Sequence, residues 1–174
     1  MTIDKLKILL LYIGGGATLK LADFYGEKDR VYPSYIFSVI SAFFLGFLIS
    51  ESTYSSAIIL GIIIGVTLSG KVDKFHLAVG LFATIVTAFR FGFKQPALHL
   101  LIPFSIASLI DEIGHERNFK RNIFVKLFFR LRFSLKTVAL LSTLFQILPI
   151  IYSSGLICFD LSYDLIGWLI EKRV

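Results

Sequence analysis

Pro33-Ser34-Tyr35-Ile36-Phe37-Ser38-Val39-Ile40-Ser41-Ala42-Phe43-Phe44-Leu45-Gly46-Phe47-Leu48-Ile49-Ser50 is a run of 18 residues without one acidic or basic side chain. At ~1.5 Å of rise per residue it covers about 27 Å as a helix, close to the ~30 Å hydrocarbon layer of a bilayer. Pro33 suits a first helical turn, where its missing N–H has no partner to lose. The stretch reads as a membrane-spanning helix, and the rest of the chain is judged by whether it repeats the pattern.

It does. Apolar segments follow one another at Leu6–Ala22, Ser55–Gly70, the stretch after His76 as far as Phe93, Pro96–Ile110 and Lys136–Phe159, separated by short charged pieces. The chain is 56% hydrophobic and 17% charged, against about half and about a quarter in soluble domains. The predicted fold is therefore all-α: one polytopic domain over residues 1–174 with six transmembrane helices. The first apolar segment follows Lys5 and Lys7 as a signal peptide would, but Ala17-Thr18-Leu19 is a poor cleavage site, so it reads as the first spanning helix. Gly14-Gly15-Gly16 in its middle suits close approach of a neighbouring helix. A weak echo, with Gly16-Ala17-Thr18-Leu19 before Asp23, Gly65-Val66-Thr67-Leu68 before Asp73 and Ile106-Ala107-Ser108-Leu109 before Asp111, fits three related helical hairpins. Leu161–Ile170 reads as an interfacial turn or short helix.

Between the fifth and sixth helices, Arg117–Phe133 interleaves six Lys and Arg with five Phe. Such a segment is expected to lie as a basic helix in the headgroup layer. Six spans put 12 of the 18 basic residues on the face after helices 1, 3 and 5, which predicts those loops to be cytoplasmic in a cell membrane and both termini to lie outside. The net charge of +6 then needs no nucleic acid to explain it. The single cysteine, Cys158, excludes an internal disulfide and a thiolate metal cluster.

The same face gathers the ionisable groups. Asp73 and His76, and likewise Glu112 and His115, are three residues apart, which on a helix is one side. With Asp23, Asp111 and Glu116 they make a candidate set of ligands for a divalent ion. Histidine with carboxylate suits Zn, Fe or Mn, and carboxylates alone suit Mg holding a phosphate. Asp73, Asp111 and Glu112 are the candidate catalytic carboxylates. Lys71, Lys74, Arg117, Lys120 and Arg121 are the candidate phosphate and lipid ligands. His99 lies 12 residues before Asp111, about 18 Å along a helix, and stands apart from that group.

Together these point to a metal-dependent enzyme acting on a phosphorylated membrane lipid or isoprenoid at the cytoplasmic interface. A small cation transporter or channel, or a non-catalytic subunit, is the alternative. Helix faces rich in Gly and Ser would serve contacts with a second copy or another membrane subunit. No phosphate-binding glycine loop, nucleophile elbow or His-Glu-x-x-His motif occurs.

Overall fold

The computed structural model describes residues 2–70, 74–116, 128–129 and 131–172. Among the described residues there is no strand and seven helices form: α1 (Thr2–Glu27), α2 (Val31–Glu51), α3 (Thr53–Leu68), α4 (Phe75–Phe91), α5 (Leu98–Glu116), α6 (Phe133–Leu144) and α7 (Ile150–Glu171). Three are long and apolar enough to cross a membrane: Asp4–Glu27, Val31–Glu51 and Ile150–Ile170. Helices α3, α4 and α6 are apolar but shorter. The 16 residues of α3 reach only ~24 Å.

Three expectations change. The segment expected to run unbroken from Lys136 to Phe159 is a hairpin. Its α6 stops at Leu144, Gln146 turns with φ of 58°, and Pro149 caps α7. Proline lacks the N–H a continuing helix would need, so the apolar block breaks there. What read as a short tail is the second half of α7. Tyr12 of α1 meets Gly155 of α7, Gly16 meets Phe159, and Lys20 meets Gly167. The two helices therefore run parallel, and the chain's described ends lie at opposite ends of the bundle. The three sequential hairpins are not formed either. α1 packs on α2, but α3 and α4 form no packed seam. Instead α4 lies parallel to α2, and α5 parallel to α3. The basic helix expected over Arg117–Phe133 falls mostly outside the described residues.

Small residues set these seams. A Cβ on Gly16 would run into the carbonyl oxygen of Phe159, and one on Gly46 would lie 2.7 Å from the carbonyl oxygen of Thr84. Gly61 and Gly65 of α3 admit Phe104 and Ser108 of α5 in the same way. Such close backbone approach lets apolar helices associate through van der Waals packing. Gly16, Gly46, Gly61 and Gly65 thus serve contacts within the chain.

One end of the bundle is closed. Tyr12, Leu48, Ile49, Ile58, Leu100 and Leu148 are buried there. Tyr12 Oη donates to Ser55 Oγ at 3.2 Å, and Ser56 Oγ to the Lys94 carbonyl at 2.7 Å. Only Ser52 separates α2 from α3, and its side chain accepts the Ser55 N–H as a cap. The other end opens into a cavity.

Candidate functional site

The cavity has a volume of about 1000 Å³. It lies where α4 stands away from α3, and its deeper walls are mainly aliphatic, with Ile59, Ile62 and Ile63 of α3, Leu81 of α4 and Ala42 and Leu45 of α2, beside Ser41 and Thr84. Its mouth is ionic. Lys20, Asp23 and Glu27 come from α1, Lys74 and His76 from the start of α4, and Asp111, Glu112 and His115 from the end of α5. Arg132 and Lys136 come from the start of α6, and Asp160, Tyr163 and Asp164 from α7.

Asp111, only 1% exposed, fixes this end of the site. Its Oδ1 accepts the Ser134 N–H at 3.1 Å and its Oδ2 the Leu135 N–H at 2.9 Å. These are orphan donors of the first turn of α6, which has no side-chain cap of its own. A carboxylate there also meets the positive end of the helix dipole. Arg132, immediately before α6, takes the left-handed backbone conformation with φ of 48°. A non-glycine residue in that region costs about 1–2 kcal/mol, and the anchored helix start holds it in place.

Arg132 then ties two helices together. Its guanidinium lies 3.3 Å from Glu112 Oε1 and 3.9 Å from Asp160 Oδ1. Lys136 Nζ lies 3.2 Å from Asp160 Oδ2 and donates to the Leu131 carbonyl at 2.6 Å. Burial works against the charge of Arg132, yet the carboxylates of Glu112, Asp160 and Asp23, together with Tyr163, raise its pKa above the ordinary arginine value. It is therefore a permanent cation. Tyr163 joins the network from α7. Its hydroxyl donates to Asp23 Oδ2 at 2.5 Å, and its ring carries Lys20 and Arg132 at 5.0 and 5.1 Å from the centroid. Such cation–π contacts are worth about 0.5–2 kcal/mol, more when desolvated.

Of the seven candidate metal ligands, Asp23, His76, Asp111, Glu112 and His115 line this one cavity. Asp73 and the side chain of Glu116 lie outside the described residues. Among the described residues no three His, Cys, Asp or Glu side chains are grouped closely enough to hold a metal ion. Three of these carboxylates have other partners. Asp111 is engaged by backbone N–H groups, Glu112 by Arg132, and Asp23 by Tyr163. Of the candidate phosphate ligands Lys74 lines the cavity, and Lys71, Arg117, Lys120 and Arg121 fall outside the described residues. Asp160 reaches this mouth because α7 folds back along α6. His99 is exposed at the start of α5, away from the cavity.

No family model matches the chain, and neither a curated protein nor a solved structure is similar to it.

Reading the sequence in order missed Lys20, Arg132, Lys136, Asp160, Tyr163 and Trp168 as neighbours. The signal was Pro149. The apolar block from Lys136 to Ile170 is 35 residues long, enough for two crossings and too long for one.

Proposed function

We propose that the chain is an integral membrane protein that holds a phosphorylated lipid, head group at the charged mouth and hydrocarbon in the apolar depth, and acts on that head group. The observation that carries this reading is the amphipathic cavity itself. Its ionic mouth and its branched aliphatic depth belong to one continuous space, which is the profile of an amphiphile rather than of an ion or a polar metabolite.

Membrane placement is supported by where polarity lies. On the open half of α2 the buried residues are small or polar, Ser34, Ser38, Ser41, Ala42 and Gly46, with Leu48 and Ile49 buried only towards the closed end, while Ile36, Val39 and Phe43 face outward. Around the molecule Phe82, Phe89, Leu98, Ile150 and Leu161 are each more than 60% exposed. Apolar surface on this scale is a liability in water and is what lipid requires. Lys20, Lys28, Arg30, Lys74, Arg132, Lys136 and Lys172 belong to the open end, against Lys5, Lys7, Arg90 and Lys94 at the closed one. That bias makes the open end cytoplasmic.

Among the described residues six carboxylates line the cavity (Asp23, Glu27, Asp111, Glu112, Asp160 and Asp164) against four Lys and Arg (Lys20, Lys74, Arg132 and Lys136). A phosphate entering such a mouth would be best accompanied by a divalent cation, which mouth carboxylates such as Glu27 and Asp164 would hold and which would stabilise charge developing on the head group. Charges gather at one end rather than along a path through the bundle, which weighs against the channel reading.

The test uses Trp168, the single tryptophan, which lines the mouth with Lys172 Nζ 3.7 Å from its ring centroid. Titrating the detergent-solubilised chain with short-chain phosphatidic acid in Mg²⁺ is expected to change its emission saturably. The matching diacylglycerol is expected to leave it unchanged, and Arg132→Gln to weaken the response. Equal responses to the two lipids would overturn the reading.

A further inference from the structure

A phosphorylated lipid is either hydrocarbon from its first bonds behind the phosphate, as in a polyprenyl phosphate, or glycerol-based, with further oxygens before the chains begin. Ser38 separates the two. It is 2% exposed and lines the cavity from α2. The other buried serines of that helix are satisfied. Ser34 Oγ donates to the Val31 carbonyl, Ser41 Oγ to that of Gly15 and Ser50 Oγ to that of Phe47. Ser38 Oγ has no hydrogen-bond partner among the described residues.

A buried hydroxyl without a partner is costly in a low-dielectric setting. A helical serine can also fall back on a carbonyl of the preceding turn, as Ser34 does. Across from Ser38 stands Gly80 of α4, whose backbone packs so closely that an added Cβ would lie 3.3 Å from the Ser38 Cβ. Gly80 is four residues, about 6 Å, further along α4 than His76 at the mouth. On the α2–α4 wall the unpartnered hydroxyl therefore sits just behind the charged groups, at the depth where head group gives way to chain.

We infer that the ligand is a glycerol-based lipid phosphate, with an ester or hydroxyl oxygen of its glycerol unit hydrogen-bonded to Ser38 Oγ. This rests on the lipid-phosphate reading of the cavity. A polyprenyl phosphate has no atom to offer at that depth and leaves Ser38 unsatisfied. The hydrogen bond is worth about a fivefold difference in affinity.

The test compares lauroyl lysophosphatidic acid with lauryl phosphate, which share a phosphate and a twelve-carbon chain and differ in the glycerol ester. Both are titrated against Trp168 emission of the full chain in Mg²⁺. The lysophosphatidic acid is expected to bind about fivefold or more tightly. Ser38→Ala is expected to bring the two to near parity by weakening the glycerol lipid alone, with unchanged lauryl phosphate binding reporting an intact fold. Equal affinities in the parent, or a preference that survives Ser38→Ala, would overturn the assignment while leaving the lipid-phosphate reading standing. Binding of neither probe would overturn both.

Discussion

The closed and open ends of this bundle solve the same problem with different chemistry. At the closed end buried polar groups are neutral. Hydroxyls of Tyr12 and Ser56 meet an oxygen each, and α2 turns into α3 through a single capped residue. At the open end the groups are ions held in pairs, Arg132 with Glu112 and Asp160, and Lys136 with Asp160. Neutral hydrogen bonds let helices close up. Ions keep water or a ligand near, because a desolvated pair barely recovers what its two charges lose. The difference teaches that the cavity is a consequence of composition: glycines zip α1 to α7 and α3 to α5, whereas α3 turns its branched Ile59, Ile62 and Ile63 into the space beside α4.

The largest effect is expected where the zipper is tightest. Gly16→Val would drive a branched side chain into the backbone of α7 at Phe159, with no flexible group to yield. Overpacking that must move a backbone costs about 3 kcal/mol or more, so thermal unfolding in detergent should show loss of the folded protein. Gly14→Ala, by contrast, meets only the ring of Phe44, and its cost should be small.

At the open end, Asp111→Asn leaves one acceptor and places an amide N–H₂ against a backbone donor. Loss of such a helix anchor costs about 1–2 kcal/mol. Because α6 carries Arg132 and Lys136, the variant should also weaken phosphatidic acid binding by more than its fall in melting temperature accounts for. At the closed end, Tyr12→Phe removes only the bond to Ser55 and should cost about 1 kcal/mol while leaving lipid binding unchanged. If Tyr12→Phe impaired binding as much as Asp111→Asn did, the division between the two ends would fail.

Much of the fold was legible from hydrophobic runs alone. The uncharged stretch from Pro33 to Ser50 became α2 almost to the residue, because nothing but length and hydrophobicity is needed to specify such a helix. Where the reading failed, the deciding contact was long-range. Lys136 and Asp160 lie in one apolar block, and only the break at Gln146–Pro149 brings them to one mouth. The pairing of α2 with α4 and α3 with α5 depends on which glycine faces which neighbour, and the sequence does not state that. Asp111 illustrates the same limit at the site. Its place beside Glu112 and His115 was visible in the sequence, but not the N–H groups 23 and 24 residues away that hold its two oxygens.

The most direct test of the lipid site is photo-crosslinking in membranes with a phosphatidic acid that carries a diazirine within its acyl chain. The account predicts label on Ile59, Ile62 and Ile63 of α3 and on Leu81 of α4, removed by excess unlabelled phosphatidic acid. Label confined to outward-facing residues such as Phe89, Ile102 and Leu161, and indifferent to competitor, would contradict it.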